Sequence, residues 1–321
     1  MASPIPIETV ICKWKDNKLA AFSVGGDDSL RSQLYFAIPE MDKRGICGTW
    51  WVNPGRGGST NFKNEDDSWA TCWIACYEGW KAAAARGHDL ANHTMHHLGA
   101  AGYENAEDEI RQAAQAIWKA NPRQRLQLFD KGGGTTWKIT DQELVGILNK
   151  YDCVWGRGGG IEEPTWDMNL SARALRGYVD TAIRQGDWRH VAFHGIGPSC
   201  EWGGQKDGEA FISLLDYLVE KRSLVWCGTH TEVHKYSQER STAQVQLLET
   251  AGDRIRLRLI SAKDPALYDY PLTLRTSVPA SWNRVRITRA DGIQECQAGS
   301  AVVQFDAVPG KNEIWLEEIR N

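Results

Sequence analysis

This sequence has no cluster of basic side chains, no apolar run of membrane-spanning length and no CxxC pair, and each absence removes a class of function. The formal charge is −4, with lysine and arginine scattered along the chain, so no stripe that would hold a phosphate backbone is expected and nucleic acid is excluded as a partner. Without about 18 to 20 consecutive apolar residues there is no candidate transmembrane helix, and no membrane partner is expected. The start, MASPIPIETVICKWKDN, lacks the apolar stretch of a secretory leader. The expectation is a soluble chain, secreted or periplasmic if a leader has been removed and cytoplasmic otherwise. Eight cysteines without CxxC or zinc-ribbon spacing leave disulfide connectivity open. Internal repeats and low-complexity tracts are absent as well. Tryptophan, in contrast, is plentiful: fifteen in 321 residues, suited to a heavy core or to stacking on sugar rings.

Short apolar runs recur at residues 19–24, 49–52, 89–91, 125–129, 153–155, 190–193 and 224–227, which makes seven candidate strands. Amphipathic stretches lie between them. In AEDEIRQAAQAIWKA, Ile110, Ala113, Ala114 and Ile117 share one helical face. DQELVGILNKY is preceded by Thr140, which with Glu143 forms a capping-box pattern, and EAFISLLDYLVEKR is a further helix. Alternating strand and helix predicts parallel strands wrapped by helices, an α/β fold best described as a distorted, incomplete, about seven-stranded β/α barrel over residues 1–240. From Arg240 the pattern becomes short runs alternating apolar and polar, such as RIRLRLIS and RVRITRA, separated by turn residues. This predicts a C-terminal all-β, sandwich-like module over residues 241–321.

In a parallel α/β barrel the loops after the strands converge at the carboxyl end of the sheet, where such folds carry out chemistry. The first strand runs straight into two adjacent carboxylates, Asp27 and Asp28, in KLAAFSVGGDDS. Adjacent carboxylates repel and resist burial unless a cation offsets them. The third strand ends in GHDLANHTMHH, with His93 and His97 four apart at an expected helix start. On a helix that spacing sets Cβ atoms about 5 to 6 Å apart on one face. Two imidazoles so placed can meet one ion at about 2.0 to 2.1 Å. His194 follows the sixth strand in RHVAFHGIG.

An acidic pair after the first strand, NHTMHH after the third and a histidine closing a late strand together resemble the polysaccharide deacetylases of carbohydrate esterase family 4. The resemblance covers roughly residues 15–240 and not the β module. It implies a metal-dependent hydrolase that removes N- or O-linked acetyl groups from a carbohydrate. Asp27 would be the general base, Asp28, His93 and His97 the ligands of one divalent ion, and His194 the general acid. Zinc is the first expectation for the ion, with cobalt and nickel as alternatives. The chain departs from the family pattern in two places. Gly25 and Gly26 precede the acidic pair, and LFDKGGGTTW, after the fourth strand, has neither the arginine nor the proline that steer the base and the oxyanion amide. Asp130 and Lys131 stand in that region, and Asp152 and Trp155 only loosely echo the family's next motif.

Three tryptophans in post-strand loops, Trp137, Trp155 and Trp202, are the candidate sugar-stacking residues. His96 is the alternative ligand to His97, and His88, before the strand, is read as structural. A second HxxxH, His230 and His234, has no acidic strand end beside it and is read as non-metal, as the acidic pair Asp66 and Asp67 is read as a solvated helix start. The expected substrate is an acetylated carbohydrate. Two other readings stay open: a carbohydrate-binding protein impaired in turnover, and an amide or cyclic imide hydrolase on the same scaffold. The sugar, the native ion, the role of the β module and the oligomeric state are not readable.

Overall fold

A computed structural model of the chain describes residues 7–55, 76–165, 169–198, 204–205 and 208–320. Trp202 and the pair Asp66 and Asp67 lie outside the described residues. In chain order the strands begin with β1 (Thr9–Ile11), β2 (Ala20–Asp27), β3 (Thr49–Val52), β4 (Asp89–Asn92), β5 (Gln127–Phe129) and β6 (Cys153–Trp155). Then come β7 (Ile161–Glu162), β8 (Trp188–Phe193), β9 (Gly195–Ile196), β10 (Gly204–Gln205) and β11 (Val225–Cys227). The helices are α1 (Ile38–Asp42), α2 (Tyr77–Ala85), α3 (Tyr103–Ala120), α4 (Asp141–Lys150), α5 (Ala172–Gln185), α6 (Gly208–Glu220) and α7 (His230–Thr242). None of the described helices is long and apolar enough to cross a membrane.

The seven expected strands are β2, β3, β4, β5, β6, β8 and β11, and with the two-residue β7 they form one parallel sheet ordered β6-β5-β4-β3-β2-β8-β7. A parallel pair needs a crossover, and α3, α4 and α5 supply three of them. The sheet does not close in chain order. β8 pairs with β2 along Ala21–Gly26, so β11, beside Ala20–Phe22, and β3, beside Gly25–Asp27, share the opposite edge of β2. The result is an open, distorted β/α barrel.

Every residue of β2 is buried, as expected of a strand covered on both faces. Phe22 and Val24 pack on the helix side in a cluster with Trp50, Leu90, Val191, Phe193, and the α5 and α6 residues Val179, Phe211 and Leu214. On the inner side, Ser23 accepts a hydrogen bond from Trp188 Nε1 at 3.0 Å. The two glycines before the acidic pair have a steric cause. A Cβ on Gly25 would lie 2.3 Å from the Thr49 carbonyl oxygen, and one on Gly26 would lie 2.9 Å from that of Phe193. The α4 capping box forms as its sequence predicts, with Glu143 N donating to Thr140 Oγ1 at 3.2 Å and Thr140 N to Glu143 Oε2 at 2.8 Å.

The β module continues with β12 (Gln244–Ala251), β13 (Arg254–Ile260), β14 (Leu272–Ser277), β15 (Arg284–Arg289), β16 (Gly292–Gln297), β17 (Val302–Ala307) and β18 (Glu313–Glu318). They form two antiparallel sheets, β1-β14-β17 and β12-β13-β18-β15-β16. Ile255, Leu257 and Leu259 of β13 are buried while their neighbours are not, the period of two expected of strands with one covered face. The sequence divided the chain at 240. Compactness divides it into Leu19–His234 and a second unit in which residues up to Lys18 join those from Lys235 onward, because β1 pairs with β14 from Thr9 opposite Thr276 to Ile11 opposite Leu274.

Candidate metal centre

Three strand ends build the site. β2 delivers Asp27 and Asp28, β4 delivers His93 one residue past its end, and β8 delivers His194. These side chains and His97 line one cavity of about 160 Å³ together with Asp130, Lys131, Gly133, Arg157 and Glu162. Asp27, Asp28, His93 and His194 are all buried.

Asp28 Oδ1 lies 3.8 Å from His93 Nε2 and 3.5 Å from His97 Nε2. Donors of one tetrahedral ion bound at about 2.0 to 2.1 Å are about 3.3 Å apart, so this spacing fits a single ion with little movement. The tautomer also fits. His93 Nδ1 donates to the Asp130 carbonyl oxygen at 3.0 Å, which leaves Nε2 as the lone-pair nitrogen facing Asp28. Among the described residues these three form the only group of His, Cys, Asp or Glu side chains so placed. One carboxylate and two imidazoles suit a borderline ion such as zinc, cobalt or nickel better than the all-oxygen shells of calcium or magnesium.

The helix expected at His93 is not there. Thr94 and His97 have φ of 69° and 58°, left-handed values that no α-helix contains. The loop is folded by its own polar side chains: Asn92 Oδ1 accepts from Thr94 N at 3.0 Å, and Thr94 Oγ1 accepts from His97 N at 2.9 Å. The imidazoles meet, 5.0 Å between ring centroids, because the loop curls and not because a helix turns. Asp28 and Ser29 are also left-handed, with φ of 74° and 54°. Four such non-glycine residues in one site mark a backbone held in place by its surroundings, as functional sites often are. Gly132 completes the fit, since a Cβ there would sit 2.4 Å from His97 ring atoms. His96 faces elsewhere, with Nδ1 2.7 Å from Glu109 Oε1.

Arg157 was not among the residues singled out from sequence. From the loop after β6 it donates two hydrogen bonds to Asp27, Nη1 to Oδ1 at 2.9 Å and Nη2 to Oδ2 at 2.7 Å. It also contacts Asp130 at 2.8 Å and Glu162 at 3.4 Å, and its guanidinium lies over the Trp51 ring, 4.2 Å from the centroid. The LFDKGGGTTW segment after β5 has no arginine, and the guanidinium that reaches Asp27 comes from the loop after β6 instead. Burial, the largest single influence, would raise the Asp27 carboxyl, but the Arg157 charge and hydrogen bonds, with the nearby His93 and His194, together outweigh it and hold that group well below the usual carboxylate range. Burial pushes Glu162 up despite the same arginine. Gln33 Nε2 donates to the carbonyl oxygens of both Asp27 and His194, at 2.9 Å to the latter, and so ties the two strand ends together. His194 Nε2 lies 4.0 Å from Asp28 Oδ2.

Trp137 and Trp155 are not among the residues that line the cavity; they flank Lys131, which is, with ring centroids 5.7 and 4.6 Å from its ammonium. The second HxxxH turns inward. His230 is fully buried, edge-on to Trp51 and His190 at 4.7 Å each, and His234 Nδ1 donates to the Gly158 carbonyl oxygen at 2.8 Å. Burial pushes His190 down to about 3 and His230 well below its ordinary value, so both are neutral packing groups. His88 Nδ1 accepts from Gly48 N and Trp50 Nε1, a structural arrangement.

No family model matches the chain. A gellan lyase from Bacillus sp is 21% identical to it over 339 residues, taking in 95% of this chain and 13% of that protein, so the chain spans about an eighth of the curated relative it matches. Among solved structures, it is similar to a family 4 acetyl xylan esterase from Clostridium thermocellum in complex with cobalt, at 17% identity and a TM-score of 0.45 over 66% of this chain and 89% of that one. It is also similar to a peptidoglycan deacetylase from Bacillus subtilis, at 14% identity and a TM-score of 0.44 over 70% and 94%. A third is a family 4 pseudoenzyme from Bacillus anthracis, at 14% and 0.44 over 67% and 65%. These are proteins of the family whose motifs the sequence resembles. At such distances the functional reading rests on the residues of the cavity.

Proposed function

We propose that the chain is a metal-dependent deacetylase that hydrolyses an acetyl ester or amide on a carbohydrate. The observation that carries this reading is the convergence of Asp28, His93 and His97 at single-ion spacing beside a second carboxylate, Asp27, and a further imidazole, His194, in one cavity. A divalent cation held by the three ligands would lower the pKa of a water to about 7 and polarise an acyl carbonyl, the two requirements of ester or amide hydrolysis. Arg157 keeps the Asp27 carboxylate ionised and fixes its plane, so that it can accept the proton of an attacking water. His194, across Asp28, would protonate the departing alcohol or amine, a role its approach to Asp28 at 4.0 Å supports. The cavity, about 160 Å³, is smaller than the roughly 300 to 1,000 Å³ of pockets that enclose a whole ligand, which supports a small acyl group inside and the sugar outside. Similarity to a gellan lyase along most of the chain supports a polysaccharide as the larger part of the substrate.

The test is acetate release from acetylated xylan, chitin oligomers and peptidoglycan fragments by protein loaded with zinc, cobalt or nickel. Close to one equivalent of metal is expected, lost in His97→Ala and retained by an inactive Asp27→Asn. Full activity of Asp27→Asn removes the base assignment. Stoichiometric metal with no acetate from any of these glycans favours the binding reading instead.

A further inference from the structure

The lip of the cavity carries a cation that the acetyl chemistry does not use. Lys131 lines the cavity beside Asp130, and its ammonium lies within cation–π range of both Trp137 and Trp155. It pairs with Asp141 at 3.8 Å, a residue whose side chain is 83% exposed, so the pair is weak. Arg157, the other fixed cation of the lining, is committed to Asp27, Asp130 and Glu162. The loop holds one of the two rings in place. Trp137 Nε1 donates to Thr135 Oγ1 at 3.0 Å, Thr135 Oγ1 donates to the Gly132 carbonyl oxygen, and the Trp137 ring stands edge-on to Phe129. An ammonium already lying against two rings loses less freedom on meeting an anion than a fully solvated lysine would.

We propose that Lys131, propped between Trp137 and Trp155, is the contact for an anionic group on the substrate, a carboxylate or sulfate on a sugar next to the acyl group that is removed. This rests on the deacetylase reading for its placement beside the acyl site. It also changes what the two tryptophans do: each offers a face to the ammonium, so recognition on this side is ionic. A divalent ion held by Asp28, His93 and His97, together with Arg157 and Lys131, would balance the four carboxylates of the lining, so net charge would not oppose an anion at Lys131.

Titration calorimetry of the zinc-loaded chain with trigalacturonate and with its carboxyl-reduced, neutral form reads this contact without turnover. Acetate release from acetylated versions of the same pair reads it during catalysis. The acidic trisaccharide is expected to bind at least about tenfold more tightly, as charge-assisted hydrogen bonds do. That advantage should shrink as salt rises and fall to near parity in Lys131→Met. A sulfated neutral trisaccharide in the same titration distinguishes sulfate from carboxylate as the preferred anion. Equal affinities in the unmodified chain, no measurable binding of either acidic or sulfated sugar, or an advantage untouched by Lys131→Met overturns the proposal. An anion preference that Lys131→Met abolishes, with no acetate released from any substrate, keeps this subsite and removes the deacetylase reading.

Discussion

Replacing Arg157 tests whether a buried ion pair, and not only the metal, holds the site together. Both partners are nearly out of solvent, Asp27 at 2% and Arg157 at 9% exposure, and they share two parallel hydrogen bonds. Arg157→Met keeps an unbranched apolar stem while removing the charge and the guanidinium that lies over the Trp51 ring, a cation–π contact worth about 0.5 to 2 kcal/mol that is lost with it. It leaves Asp27 buried and uncompensated, a change that typically costs about 3 to 5 kcal/mol. The Asp130 and Glu162 contacts add little, because those side chains are 26% and 37% exposed and water can take over. Against a typical domain stability of about 5 to 15 kcal/mol the loss is large. Urea unfolding of chelator-treated protein measures it with no metal contribution. Arg157→Met combined with Asp27→Asn should be more stable than the sum of the single losses by about 1 kcal/mol or more, since each removes the other's unpaired charge. Arg157→Lys keeps the charge but not the planar fork, so it should retain more stability than the methionine variant and still lose turnover. A cost below about 1 kcal/mol for Arg157→Met, or an additive double variant, refutes the reasoning.

The arginine also shows where sequence stops being legible. β2, β3, β4 and β8 could be located because strands covered on both faces read as unbroken apolar runs, and Asp27, Asp28, His93 and His194 follow such runs directly. Arg157 pairs with a residue 130 positions away. Its one local signal is a lone charged residue among glycines just past a strand, in WGRGGG. The spacing of His93 and His97 picked out two imidazoles that do lie side by side, but not on the helix it suggested. Four residues apart suggests a helix, but Asn92 and Thr94 compete for the backbone with their own side chains and turn the segment into a loop. β16 escaped because it shows no apolar alternation: it lies at the end of its sheet, and Ile293 is 67% exposed. β1 is three residues long and its partner lies more than 260 positions away, so neither length nor periodicity could reveal it.

The remaining expectations follow from single contacts. Gly132→Ala would drive a methyl into the His97 ring and is expected to weaken zinc binding about 10- to 100-fold in a chelator competition, as misplaced ligands do, while the metal-free melting curve stays nearly unchanged; unaltered affinity refutes the close fit. Thr140→Ala removes the α4 cap and should cost about 1 kcal/mol in urea unfolding, with no effect on metal affinity. Glu239 gives a pH dependence whose sign is fixed by burial. Its side chain is 1% exposed, Oε2 accepts from Tyr270 N at 3.1 Å, and burial pushes its carboxyl up to about 8 from an ordinary 4.5. Between those two values the unfolded chain has released the proton and the folded chain keeps it, so stability falls as pH rises, by at most about 1.4 kcal/mol per unit, and levels off above about 8. Glu239→Gln keeps an acceptor for Tyr270 and cannot ionise. The variant should therefore match the parent near pH 4.5 and exceed it increasingly toward pH 8, whereas parallel stability curves across that range would show that Glu239 is already ionised in the fold.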